Sequence, residues 1–242
     1  MELIIYQIIL GYFALGGIAF AFISRSKPKA DKKAIWTKLV TYFLIIHILF
    51  GGIYFGPFYF ALLAIIIALA GYAELVRLGR KNRVPGKPLF FLASLVVYTG
   101  LIIPFVLFGF SDKPALYFTF IVVTIFDAFS QISGQLFGRK KLLPSVSPQK
   151  TIAGLSGGAL VSLITAFFLY DVIEIPRLNA LLFAGIIVIF ALLGDLLASY
   201  VKRQFVVKDF SNVLPGHGGF LDRFDSLIAG GAAMYVLNNI IL

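Results

Sequence analysis

Long apolar stretches recur along the chain, and short polar segments rich in lysine and arginine separate them. Each stretch has about 20 residues, which as a helix rising 1.5 Å per residue is enough to cross about 30 Å of hydrocarbon. The apolar positions are continuous and do not alternate as they do in the strands of membrane barrels. We therefore predict an all-α polytopic membrane protein with about eight transmembrane helices. The expected spans are 3–23, 38–55, 57–76, 89–109, 114–137, 152–170, 178–201 and 219–241.

Glycine and proline mark two details of this helical pattern. Only Gly56 separates the second span from the third, and Pro57 suits the first turn of a new helix. Three pairs of glycines are also spaced four residues apart, which lets neighbouring membrane helices pack closely. These pairs are Gly52/Gly56, Gly134/Gly138 and Gly154/Gly158.

The positive charges are concentrated in four of the polar segments. With eight spans, these segments all fall on one side of the membrane, and the opposite side holds only Lys113 and Arg177. Because cytoplasmic loops carry an excess of lysine and arginine, the basic side is expected to be cytoplasmic. We therefore expect a multi-pass protein of the cytoplasmic (plasma) membrane with both termini outside. The basic segments are 24–38, 77–88, 138–151 and 202–218.

The composition supports a membrane protein and excludes several other classes. Hydrophobic residues make up 60% of the 242 residues and charged residues 13%, whereas soluble domains have about 25% charged residues. The absence of cysteine rules out disulfides, thiolate metal ligands and a cysteine nucleophile. In a membrane protein, the net charge of +10 is typical of cytoplasmic loops and phosphate contacts, and we expect no nucleic acid partner. We treat the chain as one integral membrane unit, with N-terminal helices in 1–110 and the candidate chemistry in 111–242.

Four aspartates lie inside the predicted spans, where a carboxylate at the membrane centre costs about 3 kcal/mol. Ionisable residues in such positions are functional candidates by default. A cluster of carboxylates from two helices offers only oxygen ligands, which suits a hard cation such as Mg²⁺. A structural network in which Arg203 and Arg223 act as counter-ions is the open alternative. The four aspartates are Asp127, Asp195, Asp222 and Asp225.

Helical spacing brings further polar residues to these aspartates. Asp222 and Asp225 are three residues apart and share one face of the eighth helix. Glu74 lies one turn before Arg77, and we expect these two to form an interfacial ion pair. Residues at i, i+4, i+7 and i+8 of the seventh helix also share one face. They are Asp195, Ser199, Lys202 and Arg203.

The segment 202–219 combines basic residues, glycines and the start of the last helix. Gly216, Gly218 and Gly219 permit positive φ and close approach of a ligand, and a helix N-terminus favours anions. Together these features suit phosphate, and with carboxylates nearby they suit a nucleoside triphosphate with Mg²⁺. A basic loop that binds anionic lipid is the open alternative. The basic residues of this segment are Lys202, Arg203, Lys208 and His217.

A second basic segment, 138–151, contains two prolines that disfavour a helix. Ser147, Lys150 and Thr151 stand directly before the sixth span, where they are candidates to bind phosphate. The alternative is that the positive charges of this segment only set membrane topology. His47 lies in an apolar run and is expected to be a hydrogen-bonded packing residue.

The segment 199–225, SYVKRQFVVKDFSNVLPGHGGFLDRFD, resembles the signature of the phosphatidate cytidylyltransferase (CDP-diacylglycerol synthase) family. A weaker resemblance covers 124–158, and the N-terminal third resembles the family only in being hydrophobic. The resemblance implies a nucleotidyltransferase of phospholipid biosynthesis that uses CTP and phosphatidic acid and gives CDP-diacylglycerol and pyrophosphate. It also implies dependence on Mg²⁺, with a monovalent cation such as K⁺ at the same site.

The resemblance assigns roles to the matched residues. Asp195 and Asp222 match the family's metal-binding carboxylates, and Asp225 is expected to contribute a further carboxylate to the metal site. Asp195→Asn and Asp222→Asn are each expected to abolish most transfer while stability changes little or rises. The implied catalytic set is Asp195, Lys202, Arg203, Lys208 and Asp222. The implied substrate-binding set is Asp127, Ser147, Lys150, Ser199, Asp209, His217, Gly218, Gly219 and Arg223.

Two rival functions stay open at this point. Ala153, Gln131 and Gln135 stand where the family more usually has Glu, Tyr and Arg. These differences leave open CTP-dependent activation of a different lipid phosphate, or a CTP-dependent lipid kinase, although the intact metal and triphosphate motifs predict phosphatidate as the acceptor. A transporter or cation channel with buried aspartates would show broken helices in inverted repeats, and the sequence shows no such pairing. The expected partners are CTP and phosphatidic acid in the bilayer, and a homodimer is left open.

Overall fold

The computed structural model describes residues 2–25, 29–81, 88–172, 176–216 and 218–241. This part of the chain is almost entirely helical, which confirms the predicted all-α architecture. The helices are α1 (Glu2–Ser24), α2 (Lys29–Phe55), α3 (Pro57–Lys81), α4 (Pro88–Phe108), α5 (Lys113–Phe137), α6 (Ile152–Leu169), α7 (Arg177–Gln204) and α8 (Phe220–Ile241). A hairpin of β1 (Lys141–Leu143) and β2 (Ser147–Thr151) precedes α6, and a 3₁₀ turn (Tyr170–Val172) follows it.

Within the described residues, α1 to α7 are long and apolar enough to cross a membrane, so the chain is a multi-pass membrane protein. The predicted spans agree with the observed helices to within a few residues, except that α2 begins well before residue 38. The eighth predicted span forms a helix of 22 residues but is absent from the candidate spans. The physical reason is its composition, because its first two turns carry Asp222, Arg223 and Asp225.

The two helices at the centre of the bundle are α5 and α8. Residues 115–123 of α5 and 224–234 of α8 are all buried. α5 packs mainly on α6, and α8 packs mainly on α7 and α4. The outer helices expose many large apolar side chains, such as Leu69, Leu89 and Phe168, as expected for surfaces that face lipid.

Close approach of α5 and α6 depends on glycine, as the sequence predicts. A Cβ on Gly154 would lie 2.6 Å from the Ser130 carbonyl oxygen, and one on Gly158 would lie 2.7 Å from the Phe126 carbonyl oxygen. The predicted break between the second and third spans is also confirmed, because Gly56 has a φ of 132° and Pro57 starts α3.

The two prolines of 138–151 lie in the hairpin, which contains the only two strands in the described residues. β1 and β2 pair antiparallel, with Lys141 opposite Thr151. The Thr151 side chain caps α6 by accepting a hydrogen bond of 3.1 Å from the Gly154 amide. The hairpin therefore delivers Lys150, the residue before this cap, to the end of the bundle.

The basic segments meet at one end of the bundle. The Thr41 hydroxyl, in α2 three residues after the basic segment 24–38, donates to the Pro215 carbonyl at 3.1 Å, and the Arg203 side chain donates to the Val146 carbonyl at 3.1 Å. At the opposite end, the Lys113 ammonium pairs with the Glu2 carboxylate at 2.8 Å. These contacts agree with the predicted segregation of charge, and the assignment of the basic end to the cytoplasm stays a prediction.

Candidate functional site

The loop between α7 and α8 leaves α7 through a tight turn. The Val206 amide donates to the Arg203 carbonyl at 3.1 Å and the Val207 amide to the Lys202 carbonyl at 3.0 Å, which is the Schellman pattern. Val206 occupies the left-handed position of this turn, with a φ of 57°. A β-branched residue is strained in that conformation, so the direction of the loop is maintained by its other contacts.

A buried ion pair joins the ends of α7 and α8. The Lys202 ammonium lies 2.7 Å from Asp222 Oδ1, and the two side chains are only 10% and 5% exposed. Asp222 Oδ2 accepts hydrogen bonds from the Phe210 amide at 2.7 Å and the Gly219 amide at 2.9 Å. Asp222 thus reaches back to the residue before α8, as in a capping box, and also fixes the start of the loop.

Glu74 of α3 contacts the same loop. The expectation that Glu74 pairs with Arg77 is wrong. Glu74 Oε1 accepts hydrogen bonds from the Ser211 hydroxyl at 2.6 Å and the Phe220 amide at 2.9 Å. Oε2 accepts one from the Leu221 amide at 2.8 Å. Glu74 is 7% exposed, whereas Arg77 is exposed. The donors of a helix N-terminus compensate this buried carboxylate better than one exposed guanidinium does.

The N-terminus of α8 therefore binds anions supplied by the chain itself. The amides of Gly219, Phe220 and Leu221 all donate to the Asp222 or Glu74 carboxylate. Gly216 and Gly218 adopt the expected positive φ, at 76° and 81°. Gly219 is needed for space instead, because a Cβ there would lie 2.5 Å from Glu74 Oε1. The substrate-binding roles of Gly218 and Gly219 stay predictions, and His217 lies outside the described residues.

A second, more accessible ion pair lies beside the first. The Lys150 ammonium of the hairpin is 2.5 Å from Asp195 Oδ2 of α7, and their side chains are 23% and 31% exposed. The Ser199 hydroxyl donates to Asp195 Oδ1 at 3.3 Å, as the shared helical face predicts. A substrate phosphate from the aqueous side can therefore approach Lys150 with less rearrangement than Lys202 would need.

Two further aspartates, Asp225 and Asp127, complete the cluster. Asp225 is 8% exposed, and its Oδ1 accepts a hydrogen bond of 2.7 Å from the Ser226 amide. It is close enough to Asp195, Lys202, Asp127 and Lys150 for their charges to interact. The four aspartates of the sequence analysis thus meet at one place with two lysines, and the carboxylates are in excess.

The two arginines of the signature have different surroundings. The Arg223 guanidinium lies 4.2 Å from the centroid of the Tyr42 ring and interacts electrostatically with Asp127. Arg203 donates to the Val146 and Val207 carbonyls, so it ties the hairpin to the loop. The alternative of a structural Asp–Arg network is consistent with Arg223, but Arg203 contacts carbonyls and is not a carboxylate counter-ion.

Three further predicted residues lie near this cluster without a role that their contacts define. Lys208 is exposed on the loop, and Asp209 stands beside Gly218, where an added Cβ would be 3.1 Å from Asp209 Cβ. Ser147 is half-buried at the start of β2, opposite Leu143. Their catalytic or substrate-binding roles stay predictions.

The donor set was compared with what a metal ion requires. In the part of the chain that the structure describes, no three acidic or histidine side chains are close enough to hold a metal ion by themselves. Mg²⁺, however, usually keeps several waters and binds through one or two carboxylates together with substrate phosphates. Asp195 and Asp225 supply such oxygens, which lie close enough for their charges to interact. Both oxygens of Asp222 already accept hydrogen bonds from Lys202 and from backbone amides, so its role as a metal ligand stays a prediction. The residues present therefore fit Mg²⁺.

An apolar crevice leads from the surface of the bundle to Asp225. It lies between α4 and α7, encloses about 180 Å³, and has Asp225 in its wall. Val97 and Leu197 line it and are 50% and 45% exposed, so its outer part opens on the side of the bundle that faces lipid. The crevice brings hydrocarbon next to a charged site.

Comparison with known proteins places this site in a family. The sequence profile of the cytidylyltransferase family matches residues 89–241. A Bacillus subtilis (strain 168) protein named phosphatidate cytidylyltransferase is 35% identical over 183 residues, which cover 73% of this chain and 66% of the relative. A Staphylococcus haemolyticus (strain JCSC1435) protein of the same name is 39% identical over 174 residues, covering 69% and 64%. The chain thus spans slightly less than two thirds of the length of these two curated relatives.

Proposed function

Because the chain belongs to the cytidylyltransferase family, we propose that it transfers the cytidylyl group of CTP to phosphatidic acid, giving CDP-diacylglycerol and pyrophosphate. The observation that carries the proposal is the cluster of Asp195, Asp225, Lys150 and Lys202, in which Asp225 also lines an apolar crevice. A water-soluble nucleotide and a membrane lipid can meet only where a polar site adjoins hydrocarbon. The names of the relatives favour phosphatidic acid over another lipid phosphate.

The reaction requires positioning and neutralisation of charge more than covalent catalysis. A phosphate oxygen of the lipid attacks the α-phosphorus of CTP, and the bond from that phosphorus to the oxygen bridging the β-phosphorus breaks. The electron pair of that bond leaves with pyrophosphate. The lipid phosphate is itself the nucleophile, so the protein must hold two polyanions together and offset their repulsion.

The lysines of the site have distinct parts in this proposal. Lys150 is partly exposed and bound to Asp195, so it can turn from that carboxylate to an incoming phosphate. Lys202 is held against Asp222 and provides a positive charge at a fixed position on the inner side of the cluster. Asp195 and Asp225 would hold Mg²⁺, which when bound would neutralise charge on the phosphates. A monovalent cation at the same place stays a prediction.

The crevice between α4 and α7 supports a lipid acceptor. Ser94 and Tyr98 carry the hydroxyl groups of its α4 wall, and the remaining lining is mainly apolar. An acyl chain in this crevice would keep its hydrocarbon out of water while its phosphate reached the level of Asp225. The arrangement also accounts for a charged site inside a helical bundle, since such charges are costly in lipid without a function.

The test is incubation of the purified chain with phosphatidic acid, Mg²⁺ and CTP labelled in either the α- or the γ-phosphate. We expect the α-label to enter the lipid fraction and the γ-label to leave as pyrophosphate. Entry of the γ-label into lipid would replace the proposal with a lipid kinase. Faster labelling of a different lipid phosphate would identify a different acceptor. Ion flux in proteoliposomes without turnover of CTP would support the transporter alternative.

A further inference from the structure

Two carboxylates from different helices close the loop between α7 and α8 at the same place. Asp222 joins the amides of Phe210 and Gly219, and Glu74 joins the Ser211 hydroxyl to the amides of Phe220 and Leu221. Each carboxylate therefore connects the first part of the loop to the first turn of α8. Between these anchored residues lie Gly216 and Gly218, two of the three glycines predicted to approach the nucleotide.

We infer that Glu74 is a positioning residue for the reaction, which holds this segment in the conformation that binds CTP. The inference rests on the proposed function for the identity of the substrate. Glu74 lies outside residues 89–241, so it belongs to the part of the chain that the family profile does not match. Its carboxylate has no site for substrate of its own, because both oxygens already accept hydrogen bonds from the chain.

The geometry makes Glu74 difficult to replace. It is 7% exposed and meets Gly219, the residue before α8, so closely that a Cβ there would lie 2.5 Å from Oε1. The three donors point at two oxygens, and a glutamine in this place would turn its amide nitrogen toward at least one of them. The chain donor that faces this nitrogen then loses its hydrogen bond. The N-terminus of α8 also loses the negative charge of the Glu74 carboxylate.

The consequence for the enzyme is a loop that opens more often. If the closed loop is the form that binds CTP, the apparent affinity for CTP is the intrinsic affinity multiplied by the fraction of molecules in which the loop is closed. The chemical step occurs in molecules that have already closed, so it changes less. A defect in positioning therefore raises KM for CTP more than it lowers kcat, and it leaves KM for the lipid nearly unchanged.

The first experiment is hydrogen exchange of the purified protein in detergent without substrates. In Glu74→Gln, we expect the amides of 210–221 to exchange about tenfold faster, corresponding to about 1.4 kcal/mol of opening free energy. Glu2→Gln is the matched control, because it makes the same change in an ion pair at the opposite end of the bundle. Exchange of 210–221 at the wild-type rate in Glu74→Gln, or equal acceleration in both variants, would overturn the inference.

The second experiment measures transfer. We expect KM for CTP to rise in Glu74→Gln by the factor by which the closed fraction of the loop falls, at most about tenfold, with a smaller change in kcat. Equal losses for CTP and lipid would show a general structural role and overturn the inference. If Glu74→Gln does not fold, Ser211→Ala takes its place, since it removes only one of the three donors.

The two proposals fail in distinguishable ways. If the wild-type protein transfers nothing from CTP, the proposed function is wrong, and hydrogen exchange still decides whether Glu74 holds the loop. If wild-type transfer is normal and Ser211→Ala changes neither exchange nor KM for CTP, the positioning role is wrong and the function stands.

Discussion

Replacement of Asp222 by asparagine should lower the free energy of unfolding, whereas the sequence leads to the expectation that stability changes little or rises. The carboxylate accepts three hydrogen bonds of 2.7 to 2.9 Å, from the Lys202 ammonium and the amides of Phe210 and Gly219. An asparagine has one acceptor oxygen and one donor nitrogen, so in either orientation its nitrogen meets a donor. The substitution thus breaks the ion pair and at least one hydrogen bond.

The magnitude follows from burial. The side chains of Lys202 and Asp222 are 10% and 5% exposed, and removal of one partner from a buried pair costs about 3–5 kcal/mol. For a chain of this size, 1 kcal/mol shifts Tm by about 2–4 °C, so a loss of 3 kcal/mol lowers Tm by about 6–12 °C. Asp195→Asn is the matched control. The Asp195–Lys150 pair is 31% and 23% exposed, so its loss should cost about 1 kcal/mol or less.

The assay is thermal unfolding of each variant in one detergent, beside transfer from CTP. Both variants should lose transfer, but only Asp222→Asn should lose marked stability. Adding Lys202→Met to Asp222→Asn removes the unpaired ammonium and should recover part of the lost Tm. An Asp222→Asn protein whose Tm matches the wild type, or a double variant less stable than either single one, would refute the reasoning.

Three further outcomes are expected. Val206→Gly should raise the free energy of unfolding by about 0.5–1 kcal/mol, because it removes the backbone strain of a valine at a φ of 57°. Val213→Gly in the same loop should give no such gain, and a lower Tm for Val206→Gly would contradict this reasoning. Gly158→Ala should lower Tm because its Cβ would meet the backbone of α5, whereas Gly185→Ala, with no atom within 4 Å, should be tolerated; equal Tm values would argue against tight α5–α6 packing. Lys208→Cys, in a chain with no natural cysteine, should be labelled only from the cytoplasmic side, and labelling from outside would reverse the topology.

The sequence predicts the helices well because each helix depends on local information. A run of about 20 apolar residues specifies a membrane helix whatever its neighbours are. The break at Gly56 and the close packing of Gly154 and Gly158 also follow from short patterns. The short β-hairpin has no such pattern, because its polar residues and prolines indicate only that a helix is absent.

The pairing of charges could not be predicted to the same extent. Glu74 and Ser211 are 137 residues apart, and no local pattern connects them. Proximity in the sequence favoured Arg77 as the partner of Glu74 and left the donors of α8 unconsidered. A signal was nevertheless present, because an acidic residue at the end of a long apolar helix is a functional candidate by default. The four aspartates were found by that rule, whereas the lysine that each one meets depends on the fold.

The composition of α8 also bears on how the protein enters the membrane. Among the eight long helices that the structure describes, α8 alone is not apolar enough to count as a span by itself. It is synthesised after α7, so Lys202 at the end of α7 is made before its partner Asp222. Placement of α8 in the bundle should therefore be favoured by the groups that pair with its charges more than by its own transfer into lipid. A nascent chain that stops before α8 would leave Lys202 without the carboxylate that covers it, so burial of this charge and completion of the candidate site would occur in the same step.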